Sequence, residues 1–106
     1  MTSDSGIHVG KPLFFNGNNY DYWKTRISAH LNAMSRKLWR IVSDGYVILD
    51  EKNLAAQDEE NELLNDQAVN VLFSALDVSE FNRVKNLTNA NEIWKKLMKF
   101  MRAHQV

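Results

Sequence analysis

Apolar residues enter this chain in stripes of helical spacing. Tyr20, Trp23, Ile27, Leu31 and Met34 follow one another at steps of three, four, four and three, which lines them along one face of a helix. The spacing predicts a first helix over Tyr20–Met34. Just upstream, residues 13–15 form a short apolar segment and residues 16–19 read as an Asn-Gly turn. Asn19 is the expected N-cap, its carboxamide oxygen accepting from the orphan amides of the first turn, with Asp21 well placed in that positive end. Ser35 is expected to cap a shorter second helix through Lys37, Leu38, Trp39, Ile41 and Val42. Asp44-Gly45 ends it, because glycine enters the left-handed region without a Cβ penalty. Residues 46–49 make one strand-like run with no partner, read as a packed extended loop.

A third helix is expected to occupy much of residues 50–76. Its first half, with Asp58, Glu59, Glu60 and Glu62, is polar almost all round. Leu64, Ala68, Val71, Leu72 and Leu76 then form a stripe, so contact with the core is expected to begin near Leu63. Asp77 and Glu80 have the spacing of a reciprocal capping box before a short helix that turns Phe81, Val84 and Leu87 inward. Asn89 and Glu92 repeat that spacing before the last helix. There Ile93, Trp94, Leu97, Met98 and Met101 face in, while Lys95, Lys96, Lys99 and Arg102 face out. These elements predict an all-α fold, a compact bundle of about five helices, occupying residues 13–106 as one domain behind a flexible arm of residues 1–12. The expected core comprises Phe15, Tyr20, Trp23, Ile27, Leu31, Leu38, Trp39, Val42, Leu72, Leu76, Leu87, Ile93, Trp94 and Leu97.

Composition agrees with one small globular domain. Hydrophobic residues make up 44% and charged residues 25% of the 106, with one proline, which leaves long stretches open to helix. The absence of cysteine removes disulfides, thiolate nucleophiles and every cysteine-ligated zinc site, the zinc knuckle included. Apolar runs are far shorter than the ~20 residues of a membrane span, and the polar start lacks a signal peptide's apolar segment. The expectation is a soluble, cytoplasmic protein without a membrane partner.

Net charge is zero, from 13 Lys and Arg against 13 Asp and Glu, but the layout is uneven. Residues 1–46 carry six basic and three acidic residues, residues 47–80 one and nine, and residues 81–106 six and one. An acidic middle between basic flanks lacks the strongly basic footprint of a dedicated nucleic-acid binder. It suits neighbouring copies that dock unlike charge on unlike charge. Two faces are therefore candidates for assembly or binding: Asp58, Glu59, Glu62 and Asp66 on the third helix, and Lys95, Lys96, Lys99 and Arg102 on the last.

Reactive chemistry lacks parts. His8, His30 and His104 share no close helical spacing of a metal pair. The acids between Asp58 and Glu62 have no glycine-centred calcium loop, and no phosphate-cradling loop or nucleophile elbow occurs. No catalysis, cofactor, metal or small-molecule substrate is expected. Phe15, Tyr20, Trp23, Trp39 and Trp94 could offer stacking surfaces to single-stranded nucleic acid, but their helical spacing assigns them to the core.

The series Phe15-x-Gly17-x-Asn19-Tyr20-x-x-Trp23, then Leu31, then Leu38-Trp39, Val42 and Gly45, resembles the opening of the Gag polyprotein of copia-type long-terminal-repeat retrotransposons. Downstream, Asn89-Ala90-Asn91-Glu92-Ile93-Trp94-x-x-Leu97 is similar to a capped helix of that family. The resemblance covers roughly residues 13–101. It implies an all-helical, capsid N-terminal-domain-like module that self-associates into a particle enclosing the element's RNA. Gag proteins of this kind continue into a second capsid half and often a zinc knuckle, and neither follows within these residues. The chain is thus read as the Gag domain of an element or a domesticated copy, with self as the expected partner. An alternative class is a host-adapted module that binds an unidentified host protein, or RNA weakly, through its basic helix faces. Lys24, Arg26, Arg36, Lys37 and Arg40 of the first hairpin would then join the last helix.

Overall fold

A computed structural model describes residue 15 and residues 19–104, with side chains described as far as residue 100. The expected arm of residues 1–12, most of the Asn-Gly turn and the side chains of Met101 and Arg102 lie outside the described residues. The described residues form an all-helical fold with five helices: α1 (Tyr20–Met34), α2 (Arg36–Ser43), α3 (Ala56–Ser74), α4 (Val78–Val84) and α5 (Ala90–His104). Helix α2 packs against α1, α3 and α5, while α5 also contacts α3 and α4.

The α1 stripe places Trp23, Ile27 and Leu31 in the interior, each fully buried. Met34 departs from the expectation and is 51% exposed. Its angle still matches the stripe, but the chain turns away at Ser35 (φ −171°, ψ 132°), so the core ends before the helix does. Ser35 caps α2 as expected, its Oγ accepting from the Leu38 amide at 3.2 Å. Asn19 occupies the N-cap position of α1 without making the predicted side-chain bond. At φ −120° and ψ 45° its backbone is outside the extended region from which a cap side chain reaches the first-turn amides. Its buried Oδ1 has no hydrogen-bond partner among the described residues.

Gly45 follows α2 at φ +82°, as a left-handed stop. Residues 46–49 form no strand, and only half of them pack. Tyr46 and Ile48 are half-buried, whereas Val47 is 73% and Leu49 94% exposed. Alternation along a segment that lies on a surface explains the split. Helix α3 begins at Ala56, after a turn in which Asp50 Oδ1 accepts from the Lys52 amide. Core contact starts one residue later than expected: Leu63 is 58% exposed, Leu64 is half-buried, and Asn65, Ala68 and Leu72 are buried.

The two proposed capping boxes part company. Asp77 makes no side-chain cap bond. Its carboxylate instead accepts from the Ser79 hydroxyl at 3.0 Å, a nearer donor than the amide a cap would satisfy. Asn89 does cap α5, its Oδ1 accepting from the Glu92 amide at 3.1 Å.

One hydrophobic cluster joins all five helices. Phe15, Trp23, Ile27, Leu31, Leu38, Val42, Leu72, Leu76, Ile93, Trp94 and Leu97 are buried in it, and Tyr20, Trp39 and Leu87 are half-buried at its margin. Its aromatic centre is a chain of rings. Phe15 lies 5.2 Å from Trp23, Trp23 stacks on Trp94 at 5.8 Å, and Trp39 meets Trp94 edge-on at 5.4 Å. Such geometries add about 0.5–1.5 kcal/mol per pair beyond the area they bury. Phe15 is further tied by its backbone, donating to Ala75 O and accepting from the Asp77 amide, in an isolated parallel bridge opposite Leu76. The Trp23 indole Nε1 donates to the same Ala75 carbonyl at 3.2 Å.

Candidate assembly and binding faces

The acidic face is built on α3, but its four candidate residues do different things. Asp58 is committed locally: its Oδ2 accepts from the Ala55 amide at 3.0 Å and so closes the start of the helix. Glu59, Glu62 and Asp66 are exposed and recur at steps of three and four, on one side of the helix. Glu60 pairs with Lys37 of α2 at 3.3 Å. Both side chains are largely solvated, so this contact contributes little stability.

Glu62 and Asp66 line a polar cleft of about 360 Å³ together with Tyr46, Asn65, Thr88 and Asn89. The floor is held by Asn65, which is 5% exposed. Its Nδ2 donates to Thr88 O and its Oδ1 accepts from the Ala90 amide, both at 2.8 Å. Loss of solvation on burial raises the pKa of the Tyr46 phenol above its usual value, and the charges of Glu62, Asp66 and Glu51 raise it further. The cleft is a negative, hydrogen-bonding surface.

The basic face lies on α5. Lys95, Lys96 and Lys99 are exposed and line a shallow groove of about 600 Å³ with Phe100. The Arg83 guanidinium, from α4, lies 3.6 Å from the centre of the Phe100 ring, a close cation–π contact. Arg83 Nε also sits 3.4 Å from Glu80 Oε1, a charge pair without a hydrogen bond, since that buried oxygen has no hydrogen-bond partner among the described residues. Arg102 continues the helix, its side chain outside the described residues. Two of the hairpin's basic residues are already engaged elsewhere, Lys37 with Glu60 and Lys24 at 5.8 Å from the centre of the Tyr20 ring.

Arg83, Phe100 and Tyr46 are members of these faces that the sequence reading missed. Phe100 had a usable signal, standing three residues after Leu97 and four after Lys96, between the buried and charged sides of α5. Arg83 and Tyr46 had none, because each reaches its face from another element. Among the described residues, no three His, Cys, Asp or Glu side chains converge to hold a metal ion. No helix among them is long and apolar enough to cross a membrane. In comparisons with known proteins, no family model, curated protein or solved structure matches this chain.

Proposed function

We propose that this chain is a non-catalytic assembly domain, a Gag or capsid-like module of a copia-type retrotransposon or a domesticated copy of one. It acts in the cytoplasm by self-association into a particle that encloses the element's RNA. The observation that carries this reading is the pair of unlike faces on one small domain. The acids of the α3 cleft and the lysines of the α5 groove form no salt bridge within the chain among the described residues. Both therefore remain available to an opposite charge on a neighbour. The motif supports the reading too, since Phe15, Trp23, Leu31, Leu38, Val42, Trp94 and Leu97 belong to one core and Gly45 abuts Asn91. The residues that carry the resemblance are thus those that hold the faces in place.

Light scattering over a concentration series at low and high salt tests the reading. The expected result is a mass that rises with concentration and falls with added salt; a monomer under every condition removes it. A second reading, an RNA- or host-protein-binding module, draws support from the Arg83–Phe100 stack beside three lysines. Retention of single-stranded RNA on filters at low salt is its measure, and no retention there removes the nucleic-acid form.

A further inference from the structure

We infer that the α5 groove receives the loop of residues 47–51 from a second copy of this chain, in a head-to-tail contact. The inference rests on the self-association reading above and gives the α5 groove a partner surface other than the α3 cleft. The groove combines an aromatic wall, Phe100 backed by Arg83, with a rim of Lys95, Lys96 and Lys99. A matching occupant carries exposed apolar side chains next to negative charge. The loop after α2 supplies that combination: Val47 and Leu49 are 73% and 94% exposed, and Asp50 and Glu51 follow at once, both exposed.

Leu49 is left uncovered by the described residues, so a copy does not fill its own groove with it. The two surfaces are also different patches of the chain, the loop following α2 and the groove formed on α5. The loop departs from Gly45, whose neighbour is Asn91 in the first turn. Lys99 stands eight residues further on, roughly 12 Å along the helix axis. A loop and a socket that are two different patches make a heterologous contact, which leaves each added copy with a free loop or a free groove. Burial of Leu49 and Val47 supplies affinity, while lysine against Asp50 and Glu51 sets the register.

The test uses the full chain and two surface variants, Leu49→Asp and Lys99→Glu, with thermal melts confirming that each stays folded. Each variant alone is expected to self-associate at least about tenfold more weakly than the parent chain, as loss of a central contact does. An equimolar mixture is expected to form a heterodimer and stop, because one intact loop and one intact groove remain between the two variants. If both variants assemble like the parent chain, the contact is wrong while self-association stands. If the parent chain stays monomeric at every concentration and salt, both fail together. A mixture no more associated than its components overturns the head-to-tail pairing. Undiminished assembly by Lys99→Glu with lost RNA retention reassigns the groove to nucleic acid.

Discussion

Asn65 and Asn91 hold the N-terminal turn of α5 against two different partners, α3 and the end of α2. Asn91 Nδ2 donates to Val42 O at 2.7 Å and Ser43 O at 3.2 Å, and Asn65 satisfies one donor and one acceptor around Thr88 and Ala90. Asn65→Ala leaves the buried Ala90 amide without its acceptor, and we expect a loss of about 1–3 kcal/mol in urea unfolding. Gly45→Ala combines left-handed strain, about 1–2 kcal/mol, with a Cβ placed 3.2 Å from Asn91 Cγ. Its cost should shrink in an Asn91→Ala background, a coupling that a double-mutant cycle measures. Trp23 and Trp94, stacked at the centre, should each cost about 3–5 kcal/mol when cut to alanine. Unchanged melting curves for both variants, together with loss of a bound ligand, would overturn their assignment to the core. Tyr46 adds a pH dependence. Its pKa is raised in the folded state by burial and by Glu62, Asp66 and Glu51, so its contribution is intact below the ordinary tyrosine pKa of ~10 and is lost as pH rises through the folded value. Melts in alkaline buffer should fall more steeply for the parent chain than for Tyr46→Phe.

At the scale of elements, the helices were legible because each buried stripe has a period that only a helix brings to one side. The bounds of α1 follow from Tyr20 and Met34 alone, and the ends of α2 from Ser35 and Gly45. Caps were less legible, since a cap needs backbone geometry as well as a suitable side chain. Ser35 and Asn89 bind first-turn amides; Asn19 and Asp77 carry equally suitable groups and do not. The difference should appear in mutants: Ser35→Ala and Asn89→Ala each lose about 1 kcal/mol, and Asp77→Ala less than about 0.5 kcal/mol, in chemical denaturation. The 46–49 loop has no partner strand, as expected, but only Tyr46 and Ile48 pack, for a related reason. A run of apolar residues does not reveal whether one of its sides has anything to cover it.

At the scale of the molecule, separation along the chain decided what could be read. The core residues announce themselves by type and spacing, whereas the Phe100 of the α5 groove is stacked by Arg83 from α4 and the acidic cleft takes in Tyr46 from beyond α2. The charge layout did indicate an acidic and a basic surface. It did not indicate that Asp58 is consumed as a cap or that Glu60 is matched by Lys37, which narrows the available acids of α3 to Glu59, Glu62 and Asp66. Assembly driven by these surfaces should weaken between about 0.05 and 0.5 M salt, as the screening length falls from beyond contact range to a few ångströms.

The link from Trp23 to Ala75 also bears on how the chain reaches this state. It joins positions 52 residues apart, and the Phe15 bridge to the same turn spans more. Loops of that length close at an entropic cost that helix hairpins between neighbours avoid. On that cost alone the seam at Ala75 is expected to close after the α1–α2 and α2–α3 pairs. In native-state hydrogen exchange, the Trp23 indole proton and the Asp77 amide should exchange ahead of the middle of α3, reporting the last step of folding from within the finished core.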